Sequence, residues 1–251
     1  MKKKSMSLSR GAAAVVTGAG SGIGRSFAYE VVRRGGSVIC ADINEERAEE
    51  VASSLRDLGS HAVARQCDVG DESDMRQLAE EAEELLMRPV TLVINNAGVG
   101  LGGPLGEVSL EDWNWCMNVN LWGVIHGCHF FGPGLKELGY GGIINVASAA
   151  AFGAAPEMTA YNVTKAGVLA MSETLAAEYA GTGVNVTALC PTIVPTNIVE
   201  DGRLPEHRNE FAQMAMSRLA LTNADRVARQ TLDALDRGKL YMLPQIDGRM
   251  A

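Results

Sequence analysis

The 251-residue sequence is short of basic charge, aromatic residues and long apolar runs. It has 22 Lys and Arg against 30 Asp and Glu, a net charge of −8, and one basic cluster, Lys2-Lys3-Lys4. A nucleic-acid surface needs Lys and Arg gathered on one face, so no nucleic-acid partner is expected. No stretch approaches about 18 uninterrupted apolar residues, so no membrane span is expected either. No apolar h-region follows the lysine run. Residues 1–9 therefore read as a flexible N-terminus and not as a targeting signal.

Cysteine is sparse and scattered: Cys40, Cys67, Cys116, Cys128 and Cys190, with no CxxC pair. An odd, unpaired set without a signal peptide fits a reducing cytoplasm, and each thiol reads as a small core residue. Internal repeats, low-complexity blocks and Pro-rich linkers are missing too, so residues 10–251 read as one domain. The rest is ordinary. Hydrophobic residues at 47% and charged residues at 21% suit a soluble globular chain long enough to bury a sizeable core.

What the chain does have is regular alternation. Strand-like apolar runs are expected at Ala12–Thr17, Ser37–Ala41, His61–Gln66, Thr91–Asn95, Gly142–Val146, Val184–Leu189 and Leu240–Leu243. Helical patterns separate them, over Gly22–Arg34, Glu45–Leu58, Asp71–Met87, Leu110 to about Leu138, Glu157–Ala180 and about Asn223–Arg237. The longest of these could break near Gly132-Pro133-Gly134. Strands separated by helices imply right-handed βαβ units, hence a doubly wound, Rossmann-type α/β domain with about seven parallel strands. The runs Ala12-Ala13-Ala14-Val15-Val16 and Leu92-Val93-Ile94 are apolar throughout, as strands covered on both faces must be.

Between the first strand and the first helix lies Thr17-Gly18-Ala19-Gly20-Ser21-Gly22-Ile23-Gly24. Glycines at 18, 22 and 24 allow a tight turn and let backbone N–H groups approach a pyrophosphate, and the helix N-terminus adds its positive dipole end. Asp42 ends the second strand, eighteen residues after Gly24. A carboxylate there can accept both ribose hydroxyls of NAD and would repel a 2′-phosphate. Ile43 and Asn44 add no positive charge, so NAD is expected in preference to NADP.

Tyr161 and Lys165 lie four residues apart, with Ser148 thirteen residues before the tyrosine. A tyrosine can give a proton to a carbonyl oxygen as hydride reaches the carbon, and take it back from an alcohol in the reverse direction. Its ordinary pKa is about 10; lowering it to near neutral, by about three pH units, needs about 4 kcal/mol in favour of the phenolate. Lys165, one helical turn on, can supply this together with an oxidised nicotinamide, and can also hold the nicotinamide ribose. Ser148 follows the strand run Ile143-Ile144-Asn145-Val146, at the carboxyl end where open α/β sheets bind ligands, and would polarise the substrate oxygen.

The glycine spacing, with Asn95-Asn96-Ala97-Gly98 and the Ser148, Tyr161 and Lys165 set, resembles the short-chain dehydrogenase/reductase family over about residues 10–245. The resemblance implies a cofactor site of Gly18, Ser21, Gly22, Ile23, Gly24, Asp42, Asp68, Val69, Asn95, Ala97, Gly98, Tyr161, Lys165, Pro191 and Thr196. In it Asp68 lies beside the adenine and Thr196 bonds the nicotinamide carboxamide. It implies catalysis by Asn120, Ser148, Tyr161 and Lys165, with Asn120 holding a water that links Lys165 to solvent. It also implies a homo-oligomer, a tetramer or dimer, joined through the helix around residues 112–131 and the helix of Tyr161. One departure is Pro191-Thr192, where the family usually carries Pro-Gly.

Val99, Leu101, Ala149, Phe152, Gly153, Pro156 and Met158 are expected to line the substrate pocket. Being small or apolar, they point to a neutral, fairly apolar secondary alcohol or ketone. Residues from about 192 to 219, including Glu206-His207-Arg208, are expected to form a substrate lid. His126 and His129 share a helix face, but no third ligand stands at metal spacing, so no metal site is expected. Trp113, Trp115 and Trp122 are expected to pack along that helix. The chain stops soon after its last strand, as a shortened chain or one lacking a C-terminal tail would. Two rival functions are a catalytically idle NAD(H)-binding sensor or scaffold, and a dehydratase or epimerase on an activated sugar. The intact Ser148, Tyr161, Lys165 and Asn120 weigh against the first. The lack of room for an added substrate domain weighs against the second.

Overall fold

The computed structural model describes residues 7–205 and 222–244. The later part of the expected lid, from residue 206 on, lies outside the described residues. Seven parallel strands stand in the order β3-β2-β1-β4-β5-β6-β7. They are β1 (Ala13–Thr17), β2 (Ser37–Asp42), β3 (Ala62–Gln66), β4 (Leu92–Asn95), β5 (Gly141–Val146), β6 (Val184–Leu189) and β7 (Tyr241–Met242). The connecting helices are α1 (Gly22–Arg33), α2 (Glu45–Asp57), α3 (Glu72–Leu86), α4 (Leu110–Met117), α5 (Gly123–Leu138), α6 (Thr159–Glu178) and α7 (Ala224–Asp236).

Side chains alternate across each strand, so the sheet builds two cores. Val15, Ile39, Val93, Ile143 and Val186 face one core with Leu78 of α3, Phe131 of α5 and Val168 of α6. Val16, Cys40, Ile94, Ile144 and Leu189 face the other with Phe27 of α1, Leu55 of α2 and Leu232 of α7. Strand order reverses between β1 and β4, which pair as Ala14–Leu92, Val15–Val93 and Val16–Ile94. Connections leave to opposite sides there, opening a crevice at the carboxyl ends of the strands. The five cysteines are all free and buried. Among the described residues, no helix is long and apolar enough to cross a membrane.

Two expectations need correction. The long helix is not interrupted at Gly132-Pro133-Gly134, which α5 crosses with Pro133 inside it. The irregularity falls instead at Asn118–Trp122, a π-helical turn between α4 and α5. There Asn120 is fully buried, with its side chain bonded to both backbone groups of Val99. An N-terminus flexible over residues 1–9 is also too long. Leu8 is buried, and the Ser7 hydroxyl, the Ser9 hydroxyl and the Ser9 amide all donate to Asp236, at 2.6, 2.7 and 2.8 Å. Trp122 packs along the helix as expected, its ring 5.8 Å from that of His126, and is 47% exposed on its outer side.

Candidate active site

The glycine loop is held shut by its own backbone and by the end of β4. A Cβ on Gly24 would stand 2.0 Å from the Gly18 carbonyl oxygen and 2.4 Å from Asn96 Nδ2, so only glycine lets α1 start this close to β1. Asn96 donates through Nδ2 to the Thr17 and Gly18 carbonyls, at 2.8 and 3.2 Å. Thr17 Oγ1 accepts from the amides of Asn96 and Ala97, at 3.0 and 3.2 Å. Thr17 and Asn96 therefore tie the loop to the β4 end, a role the sequence reading did not assign to them. Thr196 approaches from the loop after β6, its Cβ and Cγ2 each 3.0 Å from where a Cβ on Gly22 would lie.

Ser21 precedes α1 in extended conformation and makes no side-chain cap bond, and the first turn has no acidic residue. The amides of that turn remain open to an anion, the arrangement a pyrophosphate needs. Asp42 shapes the same loop: its Oδ2 accepts from Gly20 N at 2.8 Å and its Oδ1 from Asn44 N at 3.0 Å. Asp68 caps its own turn, accepting from Gly70 N at 2.8 Å. Val69 is buried with its carbonyl 3.0 Å from His126 Nδ1. These features fit a dinucleotide: an uncapped helix end and a glycine cradle, with one carboxylate at the end of β2.

Asn95 is placed differently from the expectation. Its side chain is buried and donates to Asn145 Oδ1 at 2.8 Å and to Cys128 Sγ at 3.5 Å. It joins β4 to β5 and α5, and does not reach the crevice. Gly98, in the segment after β4, lies against Asn120 and Lys165. A Cβ there would be 3.1 Å from Asn120 Oδ1 and 3.3 Å from Lys165 Nζ.

The structure brings Ser148, Tyr161 and Lys165 together. Ser148 follows β5 and is 9% exposed; Tyr161 and Lys165, on α6, are 9% and 2% exposed. The Ser148 hydroxyl stands near the Tyr161 phenol, where it favours the phenolate. Lys165 Nζ donates to the Val146 carbonyl at 2.9 Å and lies 5.8 Å from the centre of the Tyr161 ring. Burial raises the tyrosine above its ordinary value, the Ser148 hydroxyl pulls it back in part, and nearby Cys116 pushes it up further. Burial lowers Lys165 to about 8. In the protein alone, desolvation thus outweighs the help Lys165 was expected to give the phenolate. Cys116 also touches Asn120, whose Nδ2 lies 3.3 Å from its Sγ.

The outer wall of the crevice comes from three segments. Leu101 bridges to Arg203, and Gly103 bridges to Met158. Arg203 also stacks on Trp115 at 4.2 Å and pairs with Asp112. Leu101 is 2% exposed and packs with Cys116 and Ala160 as a small core, so it supports the wall more than it lines an open pocket. Phe152 is exposed at the rim. The only non-glycine residues with positive φ among those described are Met87 and Glu157, so Thr192 sits on backbone that a threonine adopts without strain. His126 is taken up by Val69 and by rings on either side, Trp122 and Phe130. Among the described residues no group of three or more His, Cys, Asp or Glu could hold a metal ion.

Comparison with known proteins agrees with this geometry. The family model described as short chain dehydrogenase matches residues 12–206. D-threitol dehydrogenase of Mycolicibacterium smegmatis is 38% identical over 189 residues, which cover 75% of this chain and 72% of that protein. The probable oxidoreductase EphD of Mycobacterium tuberculosis is 38% identical over 185 residues, 73% of this chain; the match spans 31% of EphD's length. A Burkholderia phymatum short chain dehydrogenase/reductase, solved in complex with NAD, superposes with a TM-score of 0.90. It is 34% identical and covers 96% of this chain and 91% of its own.

Proposed function

The chain belongs to the short-chain dehydrogenase/reductase family, and from that premise we propose that it is an oxidoreductase moving hydride between NAD and a neutral, fairly apolar secondary alcohol or ketone. The observation that carries this reading is the buried Ser148, Tyr161 and Lys165 set standing beside Gly98, where the catalytic side meets the cofactor loop. A bound nicotinamide cofactor supplies the hydride acceptor or donor. The glycine loop and the amides opening α1 hold the pyrophosphate, Asp42 the adenosine ribose, and Lys165 the nicotinamide ribose.

Tyr161 moves the proton at the substrate oxygen, and Ser148 hydrogen-bonds the same oxygen. Burial keeps the Tyr161 proton on through neutral pH, which favours giving it to a developing alkoxide. Alcohol oxidation, which needs that proton removed, is therefore expected to climb into the alkaline range. Asn120 lies in the π-helical turn and is anchored to Val99, which sets the backbone beside Lys165 through which the proton is resupplied. The exposed Phe152 and the absence of Lys or Arg among the expected pocket residues support an apolar substrate. Exposed Trp122 on the turn before α5 and Val163 on α6 support a homo-oligomer, a tetramer or dimer, through those helices. The buried free thiols suit a cytoplasmic setting.

Fluorescence titration with NADH and NADPH side by side tests the cofactor half of this reading. Tight NADH and weak NADPH binding is the expected result. Turnover of a panel of secondary alcohols with NAD then tests the substrate half, and preference for an acyl-carrier or phosphorylated substrate would overturn it.

A further inference from the structure

Two arginines stand near the Gly20 end of the loop. Arg25 lies over the Tyr29 ring, 5.3 Å from its centre. Arg47 is in the first turn of α2, and a Cβ built on Gly20 would lie 2.7 Å from Arg47 Cβ and 3.0 Å from Asp42 Oδ2. The stem of Arg47 and the carboxylate proposed to hold the ribose are therefore neighbours. From there Arg47 Nη1 crosses to Asp201, in the loop after β6, at 3.2 and 3.3 Å from its two oxygens. The two side chains are 41% and 42% exposed. The same loop is tied down two residues later, where the Arg203 amide donates to the Gly100 carbonyl at 2.9 Å.

NADP differs from NAD by a 2′-phosphate on the adenosine ribose. Arginine is the side chain best shaped for a phosphate, since its planar fork gives two parallel hydrogen bonds. An unengaged guanidinium beside Asp42 would offset part of the repulsion that carboxylate exerts. We propose that Asp201 is a specificity-determining residue for NAD over NADP: by pairing with Arg47 it withholds the guanidinium from a 2′-phosphate and adds a second carboxylate on that side. The proposal rests on the reading of Asp42 as the ribose residue. Glu45, Glu46 and Glu50 belong to the same helix and reinforce the negative field around Arg47, while Glu49 pairs with Arg56. The loop after β6, usually a substrate element, thereby takes part in choosing the nucleotide.

The test is a set of NADH and NADPH titrations on the whole chain: wild type, Asp201→Asn, Asp201→Glu, Arg47→Gln and the double variant Asp201→Asn/Arg47→Gln. An exposed ion pair is weak, so Asp201→Asn is expected to tighten NADPH by roughly two- to fivefold while NADH stays level. Asp201→Glu should restore the wild-type ratio, and Arg47→Gln in the double variant should cancel the gain. The gain should also shrink as salt is raised. If the wild type prefers NADH but Asp201→Asn leaves the ratio unchanged, or shifts both cofactors equally, the proposal fails and the Asp42 reading stands. A wild type that prefers NADPH, or binds neither, overturns the Asp42 reading and this proposal with it.

Discussion

Helices α1 and α2 cover the same face of the sheet, and their N-termini are finished in opposite ways. Asn44 caps α2, its Oδ1 accepting from Arg47 N at 2.9 Å, and Glu45 and Glu46 follow in the first turn. Ser21 makes no such bond at α1, and Gly22, Ile23 and Gly24 bring no charge. Asp71, Ser109 and Asn223 cap α3, α4 and α7 in the manner of Asn44. Helix α6, which carries Tyr161 and Lys165, also begins without a side-chain cap, at Met158. A helix finished by its own side chains has satisfied amides and a compensated dipole; one left open keeps both for a ligand. Of the helices at the crevice, α1 and α6 begin without a side-chain cap, while α2 and α4 are capped by Asn44 and Ser109.

The largest expected effect separates the two ends of the crevice. Tyr161→Phe removes the proposed proton carrier and leaves α1 untouched. Its kcat should fall by about 10²- to 10⁴-fold while NADH affinity, read by fluorescence, is unchanged. Loss of affinity alongside activity would show that the two ends are not separable, and a variant as active as the wild type would show that Tyr161 does not carry the proton.

Next is the loop itself. Gly24→Ala puts a methyl 2.0 Å from a backbone oxygen and should cost about 3 kcal/mol or more in a urea melt, with cofactor binding lost. The control is Gly35→Ala, where nothing lies within 4 Å and only its φ of +80° opposes the change. About 1–2 kcal/mol is expected there. Equal losses at both sites would mean that close approach is not what requires Gly24.

Lys165 gives an effect of similar size at the catalytic end. Folding lowers its pKa from 10.5 to about 8, so the folded protein binds this proton less tightly than the unfolded chain. Below about pH 8 the penalty is present in full, roughly 3 kcal/mol from the size of the shift. Between about 8 and 10.5 the unfolded chain holds more protons and stability rises with pH; above 10.5 both forms are neutral and the penalty is gone. Lys165→Met should therefore be the more stable protein at pH 7 without cofactor, and its advantage should fade from pH 8 upwards. A difference independent of pH would locate the effect in packing or in the bond to Val146.

The smallest pair bears directly on the two helix ends. Asn44→Ala should cost about 1 kcal/mol in stability and leave cofactor affinity nearly as it was. Ser21→Ala should leave the melt of the cofactor-free protein unchanged and weaken NADH. The reverse pattern would remove the distinction between open and closed N-termini.

The order of strands and helices, the glycine loop, Asp42 and the Ser148, Tyr161 and Lys165 set were legible in the chain. Each depends on local spacing, either a period in hydrophobicity or the four-residue step that puts Tyr161 and Lys165 on one helix face. The π-helical turn was not legible. Pro133 advertises a break that α5 tolerates, whereas Asn120 looks like any helical residue until Val99 comes within bonding distance. Asn95 and Asn96 are adjacent and identical in type, yet one faces the core and the other the glycine loop, because successive residues leaving β4 point to opposite sides.

By itself the sequence determined the fold class, the place of the glycine loop and which side chains have the chemistry to move a proton, since these follow from short-range pattern and side-chain chemistry. The tertiary structure alone decided which of those groups are desolvated and what they meet. The raised Tyr161, the lowered Lys165 and the contact of Gly98 with Lys165 are such outcomes, and so is the ion pair between Arg47 and Asp201. Burial and contact across 154 residues of chain depend on how the sheet and its loops close in space, and no local pattern encodes that.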